Sequence, residues 1–211
     1  MAVFLVQPLS GIISSASSVF PFLAGSFTYR KLTTPMRILF VLFIFAVATE
    51  IAGFFLGRQG IQNVWLFTVY IIVETGFVLW IISYWHYSIT IRRLSFTGLI
   101  AYIVFVITSQ AILGPGSLYM EANVARSILL SLAILHTMFR LKDIGVSYTW
   151  DYRFWVLTAY FVYFSGTAVM YTAGLFTTIE VYGRMYAVAH SVLNTTANLV
   201  FAGAFLLCRR S

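Results

Sequence analysis

Residues 37–57 read RILFVLFIFAVATEIAGFFLG, and Glu50 is the only ionisable side chain after the opening Arg37. At ~1.5 Å rise per residue a helix of this length is ~30 Å long. That is the thickness of a bilayer's hydrocarbon core, which takes about 20 apolar residues to cross. A transmembrane barrel would need ~10-residue segments of alternating polarity, and this run does not alternate. The segment therefore reads as a membrane-spanning helix.

Six further runs of the same kind follow outward from it, near residues 9–29, 64–85, 95–113, 122–141, 154–176 and 185–208. The fold expected is all-α: a polytopic seven-transmembrane-helix bundle forming one domain over residues 1–211. Hydrophobic residues make up 61% of the 211 positions and charged residues 9%. One soluble core could not hide that much apolar surface, so lipid is the expected solvent. Connections are short, with breaks at Gly114-Pro115-Gly116 and from Lys142 to Arg153. They leave no room for an extramembrane domain.

The chain carries 13 Lys and Arg residues, and ten of them fall on one side of this pattern. These are Arg30, Lys31, Arg37, Arg92, Arg93, Arg140, Lys142, Arg153, Arg209 and Arg210, against Arg58, Arg126 and Arg184 on the other side. Basic loops are retained on the cytoplasmic face, so the N-terminus is expected outside and the C-terminus inside. The net charge of +7 is spread over several short connections, which fits anionic lipid as the partner and not nucleic acid. The first apolar run has no basic residue before it and Arg30-Lys31 after it. A cleaved signal peptide has the reverse order, so this run is expected to stay as a helix. Cys208 is the single cysteine and cannot form an internal disulfide. Tyr29, Trp65, Tyr84, Trp85, Tyr119, Trp150, Trp155 and Tyr186 lie near span ends, where aromatic rings suit the headgroup region.

Against this background a few polar residues stand out. Glu50 and Glu74 sit within the second and third spans. A carboxylate in hydrocarbon is costly, so both should face the bundle interior. Helical rise puts them ~10 Å and ~15 Å below the outer surface. His190, Asn194 and Asn198 share one face of the last span by their spacing of four, at depths of about 8, 13 and 20 Å. Gln110 and Arg126 enter near the outer boundary, and Arg126 is the expected counter-ion for at least one carboxylate. Tyr70 lies one turn above Glu74 on a stripe with Asn63, Phe67 and Phe77. In the second span Ala46, Glu50, Gly53 and Gly57 share a face, and the Gly53/Gly57 pair should let a neighbouring backbone approach. Ser14, Ser15, Ser17 and Ser18 are expected to bond to their own backbone, with Pro21 kinking the first helix.

Several chemistries are disfavoured. Retinal needs a lysine in the last span, and the only lysines are Lys31 and Lys142. Haem ligation fails because His136 lies ~20 Å deep against ~8 Å for His190, while His86 reads as an interfacial residue. Glu50, Glu74 and His190 include donors zinc accepts, but there is no HExxH and no CxxC. No metal and no cofactor are expected.

Two resemblances add to this reading. Asn63-Val-Trp65-Leu-Phe-Thr-Val-Tyr70-Ile-Ile-Val-Glu74 resembles an N-x-W…Y-x-x-x-E stretch of bacterial seven-helix membrane proteins with no assigned activity. It implies no activity and adds weight to Glu74; the chain is expected to be a multi-pass protein of a bacterial inner membrane. In size, helix number and intramembrane acids the chain also resembles the small membrane-bound terpene cyclases. That resemblance is of architecture alone, and no segment reproduces their acid-containing signature.

The leading expectation is a polar intramembrane pocket that opens outward. It would bind a small molecule, ion or lipid-like substrate, with proton coupling through Glu50 and Glu74. One alternative is an intramembrane enzyme using a glutamate as acid or base on an apolar terpenoid or lipid. Another is a structural subunit in which the same residues form a polar lock. Oligomeric state is not legible.

Overall fold

A backbone polar group left open in hydrocarbon costs several kcal/mol, so a chain this apolar closes its hydrogen bonds within helices. The computed structural model describes residues 9–61, 63–85, 89–113, 119–143, 150–177 and 179–208, and every regular element among them is helical. The helices are α1 (Leu9–Ser17), α2 (Val19–Thr28), α3 (Thr34–Arg58), α4 (Val64–Trp85), α5 (Ile89–Leu113), α6 (Tyr119–Asp143), α7 (Tyr152–Phe176) and α8 (Ile179–Cys208). A short 3₁₀ turn, Tyr29–Lys31, ends α2. The expected runs all fall on helices, with α1 and α2 sharing the first. Six stretches are long and apolar enough to cross a membrane: Gly11–Lys31, Thr34–Arg58, Trp65–Trp85, Met120–Leu141, Tyr152–Phe176 and Tyr186–Cys208. In α5 the apolar part is shorter, Phe96–Ile112.

The first span breaks at Ser18, three residues before Pro21. Proline has no N–H, so the carbonyl one turn earlier loses its helical donor. The chain tightens there instead, with the Ser18 N–H donating to the Ser15 carbonyl at 3.3 Å. At the start of α7 the Asp151 carboxylate caps the helix by accepting from the Arg153 N–H at 2.7 Å. The same aspartate forms an ion pair with the Arg153 side chain.

Packing arranges six spans in a closed ring. The broken first span packs on α3 through α2 and on α8 through both α1 and α2. Round the ring, α3 meets α4, α4 meets α6, α6 meets α7 and α7 meets α8. Helix α5 stands outside, chiefly against α4. Its outer face shows why: Leu94, Ile100, Val104, Ile107 and Ile112 are exposed, as suits a helix surrounded by lipid. Between α7 and α8 the approach is close, since a Cβ at Gly166 would lie 2.5 Å from a Leu193 methyl.

The two ends of the ring differ. Arg30 and Lys31 after α2, Arg37 in α3, Arg93 in α5, Arg140 in α6 and Arg153 in α7 gather at one end. That half is tightly filled, with Met36, Leu39, Ile81, Ile134, Leu157 and Phe205 almost fully buried. The other half is formed by the starts of α1, α4, α6 and α8 and the ends of α3 and α7. It is not filled. His86, the Gly114-Pro115-Gly116 turn, residues 144–149 of the Lys142–Arg153 connection, Arg209 and Arg210 lie outside the described residues, as do the side chains of Arg92, Tyr119, Lys142 and Arg184.

Candidate functional site

The open half of the ring holds a cavity of about 890 Å³. Every span of the ring contributes to its wall, the first through α1. Ser14 and Ser15 come from α1, and Ala46, Thr49 and Glu50 from α3. Tyr70 and Glu74 come from α4, and Glu121 and Arg126 from α6. Tyr160, Tyr163 and Tyr171 come from α7, and Tyr186, His190, Asn194 and Asn198 from α8. Its volume lies within the ~300–1,000 Å³ typical of small-molecule sites.

The spacing of four on α8 puts His190, Asn194 and Asn198 on one inward face, and here the broken first span meets them. Asn194 Nδ2 donates to Ser14 Oγ at 2.9 Å, and Asn198 Nδ2 to Ser17 Oγ at 2.8 Å. The serines also behave partly as expected. Ser17 Oγ donates to the Ser14 carbonyl at 2.6 Å, and Ser18 Oγ to the Ser15 carbonyl at 2.7 Å. A hydroxyl has one donor and two acceptor sites, so Ser17 bonds its own backbone and still accepts from Asn198. Reading the serines as self-bonded missed that second capacity. Ser15 departs further, because its hydroxyl donates to Glu50 Oε2 at 2.8 Å.

The two glutamates have different surroundings. Glu74 is buried and pairs with Arg126, Nη1 to Oε2 at 3.0 Å. The same Nη1 reaches the Ile71 carbonyl and Thr75 Oγ1, each at 3.4 Å. The guanidinium also lies 5.4 Å from the centre of the Phe164 ring. This joins α4 to α6 and α7. Glu50 is half-buried and has Ser15 as its one hydrogen-bond partner among the described residues. Both carboxylates face the same cavity.

An aromatic wall completes the enclosure. Tyr186 stacks on His190 at 5.2 Å, and the Tyr163 ring meets His190 edge-on at 6.1 Å. The Tyr171 and Tyr186 hydroxyls are 3.1 Å apart. Deeper in, Phe201 packs against Phe43 at 5.3 Å and Tyr160 at 4.7 Å. The Tyr160 hydroxyl and Arg126 Nε are buried without a hydrogen-bond partner among the described residues.

Of the residues singled out in the sequence, Glu50, Glu74, Tyr70, Arg126, His190, Asn194 and Asn198 converge on this one cavity. Gln110 is not among the described residues that line it. Its helix, α5, stands outside the ring, and depth alone could not reveal that. Tyr186, one of the aromatic residues near span ends, lines the cavity. Gly53 is approached by the Phe67 ring, and its carbonyl accepts from Asn63 Nδ2 at 3.2 Å. The close neighbours are thus side chains, and a Cβ at Gly57 would meet nothing within 4 Å among the described residues. Tyr160, Tyr163, Tyr171 and Thr167 were not foreseen. They recur at intervals of three and four along α7 on its buried side, a hydroxyl-bearing stripe that could have been read from the sequence.

Among the described residues no three His, Cys, Asp or Glu side chains gather closely enough to hold a metal ion. No family model, curated protein or solved structure matches the chain in comparison with known proteins.

Proposed function

We propose that the chain is a seven-span inner-membrane protein of the bacterial type, with its N-terminus outside and its cytoplasmic end marked by the basic residues. In this reading the cavity opens to the outer side and binds a small organic molecule. The observation that carries the proposal is the unfilled volume itself. A polar lock needs its hydrogen-bonding groups in contact, whereas about 890 Å³ stands among these side chains. The Glu74–Arg126 pair and the two Ser–Asn bonds already supply the interhelical ties a lock would need. Glu50, Tyr70, Tyr160 and His190 are left to face a ligand. Orientation is supported by Arg30, Lys31, Arg37, Arg93, Arg140 and Arg153, which gather at the end away from the cavity.

A second reading is an intramembrane enzyme acting on an apolar substrate, with Glu50 as the acid or base. The pairing of Glu74 with Arg126 favours Glu50 over Glu74 for any role that exchanges a proton.

Thiol accessibility tests the binding reading. In a Cys208→Ser background, Ala187→Cys places a thiol on the cavity wall and Met36→Cys places one in the packed half. A membrane-impermeant maleimide applied outside intact cells should label the first and not the second. Labelling of Ala187→Cys only after the membrane is opened would overturn the outward cavity.

A further inference from the structure

We propose that the cavity takes an organic cation, an amine or quaternary group on an apolar body, with Glu50 as its counter-charge. This deepens the binding reading and rests on it. Among the described residues, the charges of the wall are three carboxylates, Glu50, Glu74 and Glu121, against one guanidinium, Arg126. Arg126 is already engaged by Glu74 at 3.0 Å. A carboxylate offers about four acceptor positions, and Glu50 has one neutral donor, Ser15, among the described residues. An anion would enter a surplus of negative charge. A neutral ligand would leave Glu50 without a counter-charge in a wall that is otherwise mostly apolar or aromatic.

The rest of the wall supplies what a desolvated cation needs. The faces of aromatic rings carry negative potential and attract cations, most strongly away from water. Phe43, Tyr70, Tyr160, Tyr163, Tyr186 and Phe201 all line the cavity. Tyr70 lines the same cavity as Glu50 and Glu74. The Tyr160 hydroxyl, on a residue only 3% exposed, has no hydrogen-bond partner among the described residues. A carboxylate and aromatic rings lining one cavity suit a positive head on an apolar body.

The test uses two probes of matched shape and opposite charge, tetraphenylphosphonium and tetraphenylborate, added to the full-length protein in non-ionic detergent. Binding is followed by calorimetry and by the shift in thermal unfolding. The phosphonium should bind saturably and raise the unfolding temperature, while the borate should do neither. Glu50→Gln should weaken phosphonium binding tenfold or more. Should Glu50→Gln fail to fold, Glu50→Asp should retain phosphonium binding and exclude the borate. Ala187→Trp should block the cavity and abolish binding. Absence of phosphonium binding, equal binding of the borate, or an unaltered affinity in Glu50→Gln would overturn the cation inference. In the last two cases the binding reading survives if Ala187→Trp still blocks. Probe binding indifferent to Ala187→Trp would overturn both.

Discussion

Replacing Glu74 by Gln tests whether the buried pair holds the ring closed. The side chains of Arg126 and Glu74 are only 3% and 8% exposed, with 3.0 Å between Nη1 and Oε2. At that distance and an effective dielectric constant of ~20 the attraction is about 5 kcal/mol, most of it offset by desolvation of the two ions. Removing one partner leaves the other buried and uncompensated, at a cost of about 3–5 kcal/mol. Thr75 Oγ1 and the Ile71 carbonyl still accept from Arg126 Nη1 at 3.4 Å, which places the expected loss for Glu74→Gln near the lower figure. Arg126→Gln should cost a similar amount. The double variant sets two neutral amides opposite each other, so its loss should fall short of the sum by about 2 kcal/mol or more. Equilibrium unfolding in mixed micelles with a rising fraction of sodium dodecyl sulfate measures all four proteins. Wild-type stability in Glu74→Gln, or single losses that add to within ~0.5 kcal/mol, would refute the reasoning.

The same unfolding assay should find Glu50→Gln within about 1 kcal/mol of wild type, because an amide oxygen still accepts from Ser15. Asn198→Ala should cost about 1 kcal/mol, an ordinary interhelical hydrogen bond in a membrane, and should not add to the loss in Ser17→Ala. Gly166→Leu should drive α7 from Leu193 and lower stability by about 1–3 kcal/mol; unchanged stability would show that the two helices do not approach as described. Reporter fusions after Lys31, Arg93 and Asp151 should behave as cytoplasmic and one after Gln59 as external. An inversion within that set would break the seven-span count.

The helices were legible because hydrocarbon leaves the backbone no other choice, and a run such as 37–57 declares both its length and its burial. Glu50, Glu74 and the His190, Asn194, Asn198 stripe were legible because each is costly where it stands. Lateral arrangement was not. Depth along a helix follows from residue number, but which helices touch does not, so nothing in the sequence foretold that α5, which carries Gln110, packs chiefly on α4 outside the ring. The serines of α1 illustrate the same limit. Their self-bonding is local and could be foreseen, whereas their second bonds, to Asn194, Asn198 and Glu50, depend on helices far away in sequence. That Tyr186 lines the cavity was not legible either, because a tyrosine near a span end has the same local sequence whether or not it borders a cavity.

The central claim is that the polar residues surround an open binding volume and are not a dry lock. An experimental density map of the protein purified from its own membrane tests this most directly. The account predicts a cavity of several hundred Å³ with non-protein density against Glu50 and the tyrosines of α7, and Glu74 held by Arg126. Helices closed on one another, with Glu50 bonded across the bundle to Glu74 or Asn194 and no volume between them, would contradict it.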